Sequence, residues 1–399
     1  MTTASHDRLG ARVIILLFFA ALIEGFDLQA VGVAAPKLAP AFGLQPNQLG
    51  LFFSAATFGL IFGALAGGVV ADRFGRRLGL TLSLLTFGVF SVATAWATSF
   101  EGLVLMRFLT GLGLGGALPN LISIAAEAVT PERRGRAVAL MYAGVPFGGA
   151  IASLVSVLGL HGDWQVIFLV GGLLPLVLAV PLYLMLPAFR VTRDAGTPAS
   201  RWQALFARGT TGNTLLLWVA FFFGMIVLYL LLNWLPQLLI GLGFSREQAG
   251  VMQILFNIGG AVGSILGGRV LDSGRPARAA GIWFALLVLA MTSLSLVPAG
   301  NIVAALVTGV VVGGTLLGSQ ALLYGIAPQC YLAQVRGTGV GLAVSAGRGG
   351  SILGPLLAGF LLANGVSPQQ LLYAILPIAA WCGCATVLLI VRRRLAPTL

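Results

Sequence analysis

Apolar runs of about 20 residues, each able to cross a hydrocarbon core about 30 Å thick as a helix, recur along nearly the whole chain. Twelve can be delimited, at about 13–35, 47–70, 79–98, 102–125, 137–159, 165–186, 213–240, 247–270, 279–297, 302–326, 337–362 and 368–391. Only 9% of the 399 residues are charged and 58% are hydrophobic, against roughly 25% charged in soluble domains. The expected fold is therefore an all-α membrane protein of twelve transmembrane helices, with the lipid bilayer as its solvent.

The formal net charge of +12 would suggest a nucleic-acid partner in a soluble chain, but its placement excludes that. Of 23 basic residues, 19 fall in the two tails or in the even-numbered loops: Arg8, Arg12, Arg73, Arg76, Arg77, Arg133, Arg134, Arg136, Arg190, Arg193, Arg201, Arg208, Arg269, Arg275, Arg278, Arg336, Arg392, Arg393 and Arg394. Lys37, Arg107, Arg246 and Arg348 lie elsewhere. The positive-inside rule then makes both termini cytoplasmic. The N-terminal run is too long for a signal-peptide core and contains acids, so it reads as a retained first helix. Cys330, Cys382 and Cys384 read as buried inert thiols, and with only His6 and His161 present no metal site or cofactor is expected.

The stretch from Pro187 to Gly212 is the longest polar segment and divides six spans from six. The expected organisation is a cytoplasmic tail (1–12), a six-helix bundle (13–186), a cytoplasmic central loop (187–212), a second six-helix bundle (213–391) and a cytoplasmic tail (392–399). Gly68-Val69-Val70-Ala71-Asp72 after the second span is echoed by Gly268-Arg269-Val270-Leu271-Asp272 after the eighth, at an offset of 200. Arg134-Gly135 and Arg336-Gly337 each open a glycine-rich helix. Internal repetition of a six-span half marks transporters that rock two bundles around a midplane site.

Gly68-x-x-x-Asp72-Arg73-x-Gly75-Arg76-Arg77 and Arg107-x-x-x-Gly111-x-Gly113-x-Gly115-Gly116 resemble motifs of the major facilitator superfamily. Glu24-Gly25-Phe26-Asp27 is similar to the first-span signature of its aromatic acid:proton symporter branch. Within that branch Glu24-Gly25-x-Asp27-Leu28-Gln29, Leu118-Pro119-Asn120-Leu121-Ile122, Asn233-Trp234-Leu235-Pro236 and Gln320-x-x-x-Tyr324 look most like the 3-(3-hydroxyphenyl)propionate transporters. One departure is Glu24, where much of the branch has aspartate. The resemblance implies two pseudo-symmetric six-helix bundles in a bacterial inner membrane, working as a monomer on a small aromatic carboxylate and protons.

The charged residues support specific roles without any family. An acid at membrane depth costs about 2.5 to 3.5 kcal/mol even on the lenient insertion scale, and the first span holds two. At 1.5 Å per residue Asp27 lies about 21 Å into the first helix, and Arg107 enters the fourth span to a matching depth of about 9 Å below the opposite face. The two can therefore pair. Protonation of Asp27 would release Arg107, although a permanent structural ion pair accounts for the same residues. Glu24 shares a helix face with Asp27, and like charges this close, away from water, favour retention of a proton by one of them. That makes Glu24 a candidate proton carrier; the alternative is a protonated acid bonded to a neighbouring helix.

Arg348 lies about 18 Å into the eleventh span, with no acid of its own half at comparable depth. Its planar fork suits a substrate carboxylate, with pairing to Glu24 or Asp27 in the empty state as the rival. Trp234, Tyr229, Phe222, Phe256 and Tyr324 can form an aromatic slot, and Asn233, Gln320, Asn120 and Asn257 can bond a ring hydroxyl. Ordinary helix packing explains each of these singly, and Asn233-Trp234 and Gln320/Tyr324 stand out only through the resemblance. Gly68, Asp72, Arg73, Gly75 and Arg76, with Glu127 and Arg134, are expected to form a cytoplasmic latch, or simply a solvated basic face. The functional expectation is proton-coupled uptake of an aromatic acid by alternating access; the alternative is proton-coupled efflux of organic anions or drugs. An enzyme is disfavoured, since no nucleophile has a histidine base in reach.

Overall fold

The computed structural model describes residues 3–130, 134–158, 164–186, 211–298, 300–331 and 336–395. Among these there is no β-strand. The chain divides into two compact units, Met1–Arg193 and Asp194–Leu399. Most of the expected central loop, residues 187–210, lies outside the described residues.

The first unit contains α1 (Thr3–Phe42), α2 (Pro46–Phe74), α3 (Arg76–Thr94), α4 (Phe100–Glu127), α5 (Arg134–Tyr142), α6 (Gly144–Val157) and α7 (Gln165–Met185). The second contains α8 (Thr211–Gly241), α9 (Arg246–Arg269), α10 (Pro276–Leu296), α11 (Ile302–Ile326), α12 (Arg336–Ala363), α13 (Pro368–Ala374) and α14 (Leu376–Leu395). Twelve segments are long and apolar enough to cross a bilayer, and they match the twelve runs read from the sequence. The fifth and twelfth spans are each interrupted once, at Ala143 and at Ile375.

The first helix overruns its expected end at residue 35 and continues through Pro36 and Pro40 to Phe42. Each proline removes only one backbone donor, a defect that membrane helices tolerate where neighbours and local adjustment satisfy the freed carbonyl. Several helices begin at side-chain caps. Ser99 Oγ accepts from the Gly102 amide, and Ser245 with Gln248 and Ser367 with Gln370 form reciprocal capping boxes. Each such cap satisfies amide donors that the helix geometry leaves open.

Glycine sets how closely the helices approach. A Cβ on Gly59, Gly63 or Gly67 of α2 would collide with the backbone of Phe108, Leu112 or Gly116 on α4. In the second unit, Gly259, Gly263 and Gly267 of α9 meet Val310, Gly314 and Gly318 of α11 in the same way. The first set maps onto the second by adding 200 on one helix and 202 on the other. The repeat seen in the loop motifs is thus also a repeat of backbone contacts. Without a hydrophobic force between helices in lipid, such close packing is what holds them together.

Around this frame the first unit buries Leu17, Ala21, Leu84, Phe87, Leu114, Leu121 and Met141 in one apolar core. The cysteines do not all share the inert burial expected for them. Cys330 and Cys382 are buried, whereas Cys384 is exposed on the helix surface.

Candidate functional site

Four helices of the first unit converge on Asp27. Arg107 of α4 donates through Nη1 and Nη2 to the two carboxylate oxygens, at 3.0 and 2.8 Å. Asp27 is 0% and Arg107 1% exposed, so the pair is fully enclosed. Bidentate geometry is the strongest form of this contact, and burial makes the loss of either partner costly. The Ser91 hydroxyl of α3 lies 3.2 Å from Asp27 Oδ1 and 3.3 Å from the Phe168 carbonyl of α7. The Phe168 ring itself lies under the guanidinium, 5.6 Å from its centre.

Depth along the helices therefore anticipated the pair. Ser91 and Phe168 were not anticipated, because no spacing in the sequence ties the third and sixth spans to the first.

Glu24 is 3% exposed on the same helix, one turn before Asp27. The intervening Gly25 has a packing reason: a Cβ there would overlap the backbone of Val145 on α6. Gly148 of α6 is pressed equally close to the Leu22 carbonyl. The two acids thus sit on a helix segment clamped by its neighbour.

In the second unit, the Arg348 guanidinium of α12 is half-buried and donates through Nη1 to the Tyr229 hydroxyl of α8 at 2.9 Å. The sequence left this cation for an anionic partner, and the structure adds Tyr229 as a neutral one that orients it. Around it, Gly347 faces Phe221 and Met225, and Gly350 abuts the Phe222 carbonyl. Trp234 donates its indole N–H to the Pro355 carbonyl at 3.1 Å and so joins α8 to α12. Tyr324 of α11 stacks edge-on to Phe221, with ring centres 5.2 Å apart.

The amides differ in what they bond. Asn120, Asn233 and Asn257 each donate to a carbonyl four residues back in their own helix, Gly116, Tyr229 and Gln253. Gln320 of α11 is 6% exposed, and neither its oxygen nor its nitrogen has a hydrogen-bond partner.

At the expected latch, Gly75 joins α2 to α3 with a φ of +93°, a left-handed conformation that glycine alone adopts freely. Its amide closes α2 by donating to the Ala71 carbonyl at 2.9 Å. Arg76 forms a salt bridge with Glu127 at the end of α4. Arg73 is exposed, with its guanidinium 5.4 Å from the Phe74 ring centre. Gly68 faces open space. Asp72 and Arg134 lie on helices, but their side chains are outside the described residues. Among the described residues no group of three or more histidine, cysteine or acidic side chains can hold a metal.

Residues 17–355 match the family model described as Major Facilitator Superfamily. The chain is 42% identical to the 3-(3-hydroxy-phenyl)propionate transporter of Escherichia coli strain K12, over 98% of both chains. It is 36% identical to the 4-hydroxybenzoate transporter PcaK of Pseudomonas aeruginosa, over 94% of this chain and 92% of that one. Among solved structures, a bacterial homologue of the human lysosomal transporter Spinster superposes with a TM-score of 0.74 at 20% identity, covering 97% of this chain and 95% of the other. Twelve membrane-length helices, motifs repeated between two halves and this full-length similarity make the chain a member of the Major Facilitator Superfamily, a transporter and not an enzyme.

Proposed function

We propose that the protein carries an aromatic carboxylic acid into a bacterial cell together with protons, by alternating access across the inner membrane, with both termini cytoplasmic. The observation that carries the substrate class is near full-length similarity to two carriers of hydroxylated aromatic acids. The geometry of each unit supports a division of labour. Arg348, oriented by Tyr229 beside a glycine-lined stretch of α12, receives the carboxylate. Asp27 and Glu24 take up the proton. When Asp27 is neutralised, Arg107 loses its counter-charge, and that changes the packing preference of α1 against α4.

In the second unit Trp234 and Tyr324 wall the aromatic part, with Asn233 next to Trp234 in sequence, and in the first unit Asn120 is the polar contact offered; both asparagines are bonded to their own helices. Gly68, Asp72, Arg73, Gly75, Arg76, Glu127 and Arg134 act as the cytoplasmic latch, the Arg76–Glu127 bridge being its observed contact.

The test is uptake of radiolabelled 3-(3-hydroxyphenyl)propionate into proteoliposomes with and without an inward proton gradient. Accumulation above equilibrium only with the gradient is expected, and Arg348→Ala should lower the apparent affinity at least about tenfold, since a charged hydrogen-bond pair is lost. Equilibration indifferent to the gradient would remove proton coupling. Proton-driven export from loaded vesicles, without import, would favour the efflux alternative.

A further inference from the structure

Gln320 is the one amide among those weighed for substrate contact whose polar atoms are both buried and without partners. A buried amide left unpaired destabilises the fold that encloses it. Leucine or methionine would fill the same volume without that cost. Its neighbours give the position a direction. The amide nitrogen would lie 2.8 Å from a Cβ built on Gly224, where Cys382 Sγ and Leu323 Cδ1 would lie at 3.1 and 3.5 Å, so the amide head can sit against α8 only because that position is glycine. Tyr324, one turn further along α11, meets Phe221 of the same α8 segment, and Phe221 also faces Gly347 beside Arg348. Tyr229, which holds Arg348, lies five residues beyond Gly224, about 7.5 Å along α8.

We infer that Gln320 is the specificity-determining residue for a phenolic hydroxyl on the substrate ring, the carboxamide oxygen accepting the phenol proton while its N–H donates to the phenol oxygen. This rests on the reading of the chain as an aromatic-acid carrier and narrows it to hydroxylated acids. A phenol is complementary to both idle groups of the amide at once. An unsubstituted ring leaves both buried and unpaired, which is how a site rejects an analogue lacking a hydroxyl.

The experiment measures binding of 3-(3-hydroxyphenyl)propionate and 3-phenylpropionate to the purified full-length protein, wild type, Gln320→Leu and Gln320→Met. The wild type should prefer the hydroxylated acid by at least about tenfold. Both variants should bind 3-phenylpropionate as well as the wild type does, and their preference should fall towards unity. Unliganded melting temperatures, expected unchanged or raised once the idle amide is gone, report that the variants fold. A preference retained in either folded variant overturns the inference, as does equal loss of both ligands or a wild type that binds both alike. A wild type that binds neither acid overturns the aromatic-acid reading itself, and the inference with it.

Discussion

Asp27 is held by two donors of Arg107 and lies within reach of the Ser91 hydroxyl, all out of contact with water. In Asp27→Asn the guanidinium keeps its charge and loses its counter-charge, a change that costs about 3 to 5 kcal/mol for a buried pair. Proton-driven accumulation in proteoliposomes should be abolished and the melting temperature lowered. The double variant Asp27→Asn with Arg107→Gln should recover part of that stability without recovering accumulation, because no charge is then stranded. Full accumulation by Asp27→Asn would remove this residue from coupling. Much of this cluster was legible in advance, since two rulers of 1.5 Å per residue placed Asp27 and Arg107 at one depth. Ser91, Phe168 and the idle state of Gln320 were not, because each is a relation between helices far apart in sequence.

The helices are held at contact distance by glycine and by a few cross-helix bonds. Gly63 and Gly263 are repeat-related and both face the backbone of a partner helix. Gly263→Leu cannot be absorbed by a rotamer change, because the obstacle is the Gly314 backbone of α11. Expression of folded protein should drop sharply, read as the monodisperse fraction after detergent extraction. Gly268→Leu, at a position facing open space, should be tolerated and serves as the control. Trp234→Phe keeps most of the apolar volume but loses the bond to the Pro355 carbonyl. It should destabilise the protein by about 1 kcal/mol, visible as a modest loss in melting temperature. The first span shows the limit of reading elements from sequence. The apolar run was delimited at about residue 35, yet the helix runs on through Pro36 to Phe42, because proline costs a helix one donor and the surroundings decide whether that is tolerated.

The chain is built from two related halves, and the positive-inside rule predicts their orientation. If the positive-inside rule governs, single cysteines placed at Gln45 and Gly300 in a background lacking native cysteine should react with an impermeant thiol reagent added outside intact cells. One placed at Gly274 should react only after permeabilisation. The reverse pattern would invert the topology and with it the direction of uptake. The span count, the repeat between halves, the expected orientation and the acids and arginines worth attention can all be read from the order of the amino acids. Each of these follows from composition along the chain, from transfer free energy and from helical rise, which are local quantities. That Asp27 and Arg107 share two hydrogen bonds, that Arg348 rests on Tyr229, and that three asparagines are bonded to their own helices while Gln320 is not, is visible only in the folded chain. A hydrogen bond depends on rotamer and on helix rotation to within a few tenths of an ångström, and those are settled by the glycine contacts that press one helix against the next.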